Sequence, residues 1–325
     1  MMKAIIVSNY GGTENMAYVD VSIPKVKEHE VLIRVVNTSV NFADIKTRYG
    51  NKGKGKLPYI PGIDAAGVIE KIGSCVSNFT VGQRVICFPT GGSYAEYVVA
   101  SELLTFPIQD EIDFEMAAAS PIVSFLSHLL LTNVARLVKG ETILIHAAAG
   151  GVGTTAIQLA KILGAKTVIG TVGHESKISV AKDAGADEVI CYNKGDFSKK
   201  VMMLTNNKGV DVILDSISGI VSEKSMECLA PFGRLVHFGN SSGETGTFKT
   251  VELHSSCRSV LGFSFGTTRQ MRPDLLQHTA DQVLGYIAER KLNVTIGRKF
   301  QLEDARTAHE WMESRKSVGK IILKV

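Results

Sequence analysis

The hydrophobic and polar positions along the chain change their period twice. Up to about residue 120, short segments rich in β-branched residues alternate with turn residues, a pattern that predicts β-strands. These segments are VLIRVV (31–36), AAGVIEKIG (65–73), QRVICF (83–88) and YAEYVVA (94–100). The first part of the chain is therefore expected to be a β-rich domain.

The middle of the chain, residues 124–265, repeats an apolar strand followed by a helix. Strand ETILIHA (141–147) precedes a segment whose apolar residues Ala156, Leu159, Ala160 and Leu163 have helical spacing, and Gly164 closes that helix. The pattern continues with strand KTVIGTV, helix ESKISVAKDAG, strand DEVICY, helix DFSKKVMMLT, strand VDVILD, helix IVSEKSMECLA, and strands GRLVHFG and RSVLGFSF. Such alternation predicts a parallel sheet with right-handed crossovers.

The last part of the chain returns to mixed structure, with an amphipathic helix (DLLQHTADQVLGYIAERK) and a closing strand (KIILKV). The expected fold class is α/β. A doubly wound Rossmann domain at 124–265 is inserted into a β-rich domain formed by residues 1–123 and 266–325.

Composition excludes several classes of function. The 325 residues are 45% hydrophobic and 21% charged with a net charge of +4, and the positive residues are dispersed, so we expect no nucleic-acid partner. No apolar run approaches the length of a membrane span, and the start MMKAIIVSNYGG is too short for a secretory signal. The five cysteines are scattered, which fits a reducing cytoplasm.

The stretch HAAAGGVGTTAIQLAK (146–161) is close to the dinucleotide-binding pattern Gly-x-Gly-x-x-Gly, with Ala148, Gly150 and Gly153 in the three glycine slots. The first glycine mainly serves the tight turn, where alanine is the least damaging replacement. A strand, this turn and an amphipathic helix together predict a phosphate-binding helix N-terminus.

The end of the next strand favours NADPH over NADH. NAD sites place Asp or Glu about 20 residues downstream to bind the ribose 2′-hydroxyl. Here that strand ends in IGTVGHESK, with no acid at Gly170–Gly173 and Lys177 just beyond. Glu175 argues mildly against a phosphate unless it points to solvent, and Lys177 could also be an ordinary solvated helix residue.

The motif GNSSG (239–243) fits the nucleophile pattern Gly-x-Ser-x-Gly of hydrolases. A nucleophile elbow is followed by a helix, whereas ETGTFKTVE follows here without apolar periodicity. We therefore do not favour a hydrolase.

Several long motifs in order resemble the zinc-free quinone oxidoreductases, the zeta-crystallin-like branch of the medium-chain dehydrogenase/reductase superfamily. They are SVNFADIKTRYG (39–50), PYIPGIDAAGVIEKIGSCV (58–76), HAAAGGVGTTAIQLAKILGAKTVIGTVG, VILDSISG, RLVHFGNSSG and GKIILKV. The resemblance runs nearly end to end. It implies that the β-rich domain is GroES-like and that the protein is a homodimer pairing RSVLGFSF across a two-fold axis.

The resemblance also implies roles for particular residues. Asn41 matches a cleft residue at the nicotinamide end, and Ser127 or Leu126 matches a contact from the linking helix. The other matches to cofactor-binding residues are Gly150, Gly151 and Val152 at the pyrophosphate, Gly173, Lys177 and Tyr192 at the adenosine phosphate, Ser216, Phe238, Gly239 and Asn240 at the strand ends, and Phe263 and Phe265 near the nicotinamide.

No metal is expected. Where zinc alcohol dehydrogenases carry their ligands, this chain reads Asn41-Phe42 and Gly62-Ile63-Asp64, without thiolate or imidazole. Asp64 alone is interpreted as structural, hydrogen-bonded within its own loop. Without a Lewis acid, an acceptor that takes hydride readily is favoured.

The predicted reaction is hydride transfer from NADPH to a quinone or a related electrophilic acceptor. Tyr49 and Tyr59 are candidates for lining the acceptor side or donating a proton, or are packed aromatics. Lys52, Lys54 and Lys56 either steer the anionic cofactor or form a solvated loop.

Two alternatives remain open. One is an NADPH-dependent reductase of alkenal or enone double bonds on the same fold. The other is a non-catalytic NADPH-binding protein, crystallin-like or RNA-binding.

Overall fold

The computed structural model describes residues 1–51 and 55–325, which divide into two compact units. One unit contains Met1–Phe125 and Met271–Val325, and the other contains Leu126–Gln270.

The strands alternate with helices through the middle of the chain. In chain order the strands are β1 (Met2–Val7), β2 (Met16–Val21), β3 (Glu30–Val40), β4 (Ala65–Ile72), β5 (Arg84–Cys87), β6 (Tyr97–Ser101), β7 (Thr105–Pro107), β8 (Thr142–Ile145), β9 (Thr167–Val172), β10 (Glu188–Cys191), β11 (Val210–Asp215), β12 (Leu229–His237), β13 (Ser259–Gly262), β14 (Ile296–Gln301) and β15 (Lys320–Lys324). The helices are α1 (Phe42–Arg48), α2 (Phe114–Leu129), α3 (Gly151–Ile162), α4 (Ile178–Asp183), α5 (Phe197–Leu204), α6 (Ile220–Glu227), α7 (Thr250–Ser256), α8 (Phe265–Met271), α9 (Asp274–Ala288) and α10 (Ala305–Glu313).

The first unit is built on a seven-stranded sheet in the order β14-β15-β3-β4-β5-β7, with β6 also paired to β3. Strand β3 alternates, so that Val31, Ile33 and Val35 are buried in one core. The closing strand β15 pairs antiparallel with the last residues of β3, Asn37–Val40. This pairing brings the C-terminal strand beside the segment that leads into α1.

The second unit is a six-stranded sheet in the order β10-β9-β8-β11-β12-β13, in which every neighbouring pair is parallel. This is the doubly wound order. The chain first adds β9 and β10 on one side of β8, and it then returns to add β11, β12 and β13 on the other side. Leu144, Ile169, Ile213 and Leu235 are buried in one shared core. The carboxyl ends of all six strands lie at one edge, where such sheets bind their ligands.

The expectation that no apolar run approaches the length of a membrane span was wrong for one described segment. The continuous helical stretch Phe114–Val134 is long and apolar enough to cross a membrane. Its most apolar window is 83% buried inside the protein, which is the behaviour of a core helix. The stretch includes α2 and a π-helical turn at Leu130–Val134.

The predicted elements and the structure differ at several places. Strand RSVLGFSF is confined to Ser259–Gly262, because Phe265 already begins α8. The helix over ESKISVAKDAG is divided into a 3₁₀ turn, Glu175–Lys177, and α4. Helix α7 follows GNSSG after a non-helical stretch and was not predicted, because its segment lacks an apolar stripe.

Candidate cofactor and substrate site

The turn after β8 leads directly into α3. Gly150 is the N-cap of this helix, with φ −80° and ψ 172°, and Gly151 and Val152 are its first residues. Backbone N–H groups in a first helical turn have no partner within the helix, and together with the helix dipole they favour an anion. The turn therefore fits the phosphate groups of a dinucleotide.

The missing first glycine is compensated from the neighbouring strand. Ala148 is fully buried, and its methyl group lies 2.7 Å from the point that a Cβ on Gly170 of β9 would occupy. The left-handed residue of the turn is Ala147, with φ 52°. Ala148 lies in the same turn, which the hydrogen bond from the Gly150 N–H to the Ala147 carbonyl closes, and its methyl group packs against β9.

The carboxyl ends of β9 and β10 lie side by side, since Val172 faces Cys191 in the parallel register. A Cβ on Gly173 would lie 2.7 Å from the hydroxyl of Tyr192, so a side chain at this position would displace the tyrosine ring. Lys177 follows within the same loop and is half-buried, and burial lowers the pKa of its ammonium group. Gly173 and Tyr192 are thus brought together, and Lys177 follows four residues after Gly173 along the chain.

The linking helix contributes Ser127, which is buried. Its Oγ donates a hydrogen bond to the carbonyl of Val152 at 3.3 Å. Ser127 therefore contacts the first turn of α3, and its hydroxyl proton is already engaged in this hydrogen bond. Leu126, its alternative in the alignment, is 9% exposed.

The segments after β11 and β12 are tied to each other. The backbone N–H of Ser241 donates to the Ser216 carbonyl at 3.0 Å, and a Cβ on Gly239 would lie 3.0 Å from the same oxygen. Asn240 accepts the N–H of Gly243 through Oδ1 at 2.7 Å. Phe238, Gly239 and Asn240 thus leave the sheet at the edge where α3 begins.

The two predicted phenylalanines lie just past β13. The N–H of Phe263 donates to the carbonyl of His237 at 3.0 Å, which continues the pairing of β13 with β12. Phe265 is 8% exposed, and the guanidinium carbon of Arg269 lies 5.5 Å from its ring centre.

In the first unit, Asn41 begins α1 and is 6% exposed. Its Nδ2 donates to Asp64 Oδ1 at 3.0 Å, and its Oδ1 accepts from Lys320 Nζ at 2.6 Å. Its backbone N–H donates to Asp44 Oδ2 at 2.8 Å. The amide is therefore held in one orientation. Sequence reasoning missed the role of Lys320, whose only signal is a lysine at the start of the apolar closing strand.

Burial dominates the electrostatics of this network. It raises the pKa of the Asp44 carboxyl to about 7, raises the pKa of Asp64 and lowers the pKa of Lys320. Asp64 also accepts from Ser39 Oγ at 2.7 Å. Its partners Ser39 and Asn41 lie outside its own loop, contrary to the prediction.

The two candidate tyrosines differ in their surroundings. Tyr49 is 45% exposed, and the guanidinium carbon of Arg48 lies 4.7 Å from its ring centre. A hydrogen bond with the Glu313 carboxylate raises the Tyr49 pKa. The Tyr59 hydroxyl is buried without a partner among the described residues, and burial raises its pKa to about 12. Lys52 and Lys54 lie outside the described residues, and Lys56 is exposed.

The residues present do not fit a zinc site. No group of three His, Cys, Asp or Glu side chains among residues 1–51 and 55–325 could hold a metal. At the positions that correspond to zinc ligands, the Asn41 amide oxygen already accepts the Lys320 ammonium group. Cys87 is buried, which raises the pKa of its thiol.

Two family models match the chain, the alcohol dehydrogenase GroES-like domain over residues 27–110 and the zinc-binding dehydrogenase over residues 151–281. A quinone oxidoreductase of Pseudomonas aeruginosa is 36% identical, and the alignment covers 99% of each chain. This chain belongs to the zeta-crystallin-like quinone oxidoreductase family of the medium-chain dehydrogenase/reductases. The predicted fold class, a Rossmann domain with a GroES-like domain, is thereby confirmed.

Two further proteins similar to this chain are informative about the cofactor and the substrate class. The crystal structure of Escherichia coli quinone oxidoreductase complexed with NADPH matches with a TM-score of 0.93 and 32% identity over 99% of this chain and 100% of the other. A 2-haloacrylate reductase of a Burkholderia species is 32% identical over 99% of each chain. The family and the glycine-lined strand ends together support a cofactor of the NAD(P) type.

Proposed function

We propose that this protein is an NADPH-dependent oxidoreductase that reduces quinones without a metal. The observation that carries the proposal is the carboxyl end of β9. There the ring of Tyr192 packs on Gly173 and a half-buried lysine, Lys177, follows, while no carboxylate occupies the end of the strand. An ammonium group at this place can form charge-assisted hydrogen bonds with a 2′-phosphate.

The protein's contribution is to bind and orient rather than to supply a reactive side chain. NADPH, when bound, supplies the hydride that reduces the acceptor. Gly150, Gly151 and Val152 would hold the pyrophosphate at the start of α3. Ser216, Phe238, Gly239, Asn240, Phe263 and Phe265 would extend this site along the strand ends. Asn41 of the first unit, held by Lys320 and Asp64, is proposed for the nicotinamide end on the family resemblance alone.

A quinone fits a site without a metal because it accepts hydride without Lewis-acid activation of its oxygen. The relatives named quinone oxidoreductases support this acceptor class. No residue is assigned as a general acid, since the hydroquinone oxygen can take its proton from water.

The proposal is tested by following reduced-nicotinamide absorbance in four mixtures of NADPH or NADH with 1,4-benzoquinone or an α,β-unsaturated aldehyde. Fast decay with NADPH and quinone, and much slower decay with NADH, is expected. Preference for the aldehyde would assign the protein to the double-bond reductases. Binding of NADPH without turnover of either acceptor would favour a non-catalytic NADPH-binding protein.

The double-bond reductase is retained as a second candidate because a 2-haloacrylate reductase is among the relatives. The two functions differ in the fate of the transferred hydrogen. With NADPH deuterated at the transferred position, enone reduction leaves deuterium on carbon. Deuterium delivered to a quinone oxygen exchanges with water, so the hydroquinone should carry none.

We further propose that the protein is a cytoplasmic homodimer. Within the described residues, β13 is an edge strand whose only sheet neighbour is β12. An exposed edge is a template for pairing with another strand, here the same strand of a second copy. Light scattering should give twice the mass of 35.0 kDa. Val260→Pro should shift the protein toward the monomer, because the alternation along β13 turns the Val260 N–H to the free edge while Phe263 donates to β12.

A further inference from the structure

The loops after β9 and β10 are joined by two polar contacts. Asn193 Nδ2 donates a hydrogen bond to the Gly173 carbonyl. Lys194 Nζ pairs with Glu175 Oε1 at 2.6 Å. Each loop thus contributes a charged residue to the surface around Gly173 and Tyr192.

NAD-binding chains carry their ribose-binding carboxylate at the end of the second strand, which is β9 here. Glu175 is the first acidic residue along the chain after β9. It lies in the same 3₁₀ turn as Lys177. An uncompensated carboxylate here would repel a 2′-phosphate and attract a ribose hydroxyl. Its pairing with Lys194 lowers the Glu175 pKa and raises the Lys194 pKa, so both groups are charged at neutral pH.

We propose that Lys194 determines the cofactor preference of this chain by holding and neutralising Glu175. The inference rests on the NADPH-binding function proposed above. Lys194 acts here through Glu175, whereas Lys177 is the residue expected to meet the phosphate itself. The β10 loop therefore takes part in the choice between NADPH and NADH.

The size of the effect is limited by solvent. The side chains of Lys194 and Glu175 are 61% and 55% exposed, so water and salt screen the carboxylate. A phosphate carries nearly two negative charges, and a single carboxylate within about 8 Å of it should change relative affinity by roughly three- to tenfold at low salt.

The test uses calorimetric binding of adenosine 2′,5′-bisphosphate and of 5′-AMP to the full-length protein at low salt. The measured quantity is the ratio of the two affinities. It is compared among the wild type, Lys194→Met, Glu175→Gln and the double variant. Lys166→Met is the matched control, because Lys166 is exposed and precedes the amino end of the same strand, β9.

The ratio should fall roughly three- to tenfold in Lys194→Met and should be unchanged or higher in Glu175→Gln. The double variant should recover the wild-type ratio, and Lys166→Met should leave it unchanged. Added salt should reduce the difference between Lys194→Met and the wild type.

Two results would overturn this inference while leaving the NADPH preference intact. An unchanged ratio in Lys194→Met would show that Glu175 needs no partner. An equal fall in the double variant would show that Lys194 acts on the phosphate without Glu175. A wild-type ratio near one would instead contradict the NADPH preference itself, and with it this inference.

Discussion

Ala148 and Gly170 are complementary positions on neighbouring segments of the nucleotide-binding unit. The Ala148 methyl group fills the space that a side chain on Gly170 would need, since the two Cβ atoms would be 2.7 Å apart. A turn that lacks its first glycine is thus accommodated by a glycine on the next strand. The pair explains why an imperfect motif can still form a closely packed phosphate-binding turn.

This relationship predicts the effect of Gly170→Ala. The added methyl group overpacks the turn and should lower the free energy of unfolding by about 1–3 kcal/mol, measured by urea denaturation. Adding Ala148→Gly should recover much of this loss, because it removes the opposing methyl group. Gly285→Ala in α9 is the control, since a Cβ there would meet nothing within 4 Å. Equal losses in both alanine variants would contradict the account.

Replacement of Lys177 should remove most of the preference for NADPH. Loss of one or two charge-assisted hydrogen bonds should weaken NADPH binding by about 10- to 100-fold, with little effect on NADH. Fluorescence titration of Lys177→Met with both cofactors measures this ratio, and Lys166→Met again serves as the control. A parallel loss of both affinities would indicate a damaged fold rather than a lost phosphate contact.

The same lysine predicts a pH dependence. Burial lowers the Lys177 pKa, so its charge is lost at a lower pH than the charge of an exposed lysine. Affinity for adenosine 2′,5′-bisphosphate relative to 5′-AMP should therefore fall as pH rises through the alkaline range. This fall should be absent in Lys177→Met. A flat wild-type profile up to the ordinary lysine pKa would contradict the assignment.

Tyr49→Phe should leave quinone reduction nearly unchanged. The Glu313 carboxylate raises the Tyr49 pKa, which makes its hydroxyl a weak acid. If Tyr49 protonated an enone carbon, turnover of the aldehyde would fall by about 100- to 10,000-fold in the variant. The measurement is kcat/KM for both acceptors, with Tyr59→Phe compared in parallel. A large loss for the aldehyde alone would favour the double-bond reductase.

Lys320→Met should destabilise the first unit. The change removes the donor to Asn41 and leaves the buried Asp64 carboxylate without its cation, at an expected cost of about 3–5 kcal/mol in urea unfolding. Lys324→Met lies at the exposed end of the same strand and should change stability by at most about 0.5 kcal/mol. A stable Lys320→Met protein would show that the buried network is dispensable.

The architecture could be predicted because it depends on local patterns. Apolar strands such as TILI, followed by helices with a buried stripe, specify a parallel sheet wherever they occur. The short helix α7 has no such stripe, and Phe265 belongs to a helix although its neighbours are typical of a strand. The missed helix α7 and the misassigned Phe265 both lie where few residues are buried. In such segments the spacing of apolar residues does not distinguish a helix from a strand.

The site was only partly predictable for a related reason. Gly173 and Lys177 could be found because they follow a recognisable strand. The pairs Ala148–Gly170, Glu175–Lys194 and Asn41–Lys320 join segments that are distant in sequence, and no spacing rule identifies them. Each pair depends on strand order and register, which place the partners side by side only after the sheets have formed.

The most direct test of the central claim is kcat/KM for NADPH with 1,4-benzoquinone, measured before and after dialysis against a chelator. We expect rapid oxidation of NADPH that is unchanged by chelation, with NADH used at least about tenfold less efficiently. Loss of activity on chelation that is restored by zinc, or no oxidation in either preparation, would contradict a metal-independent NADPH:quinone oxidoreductase.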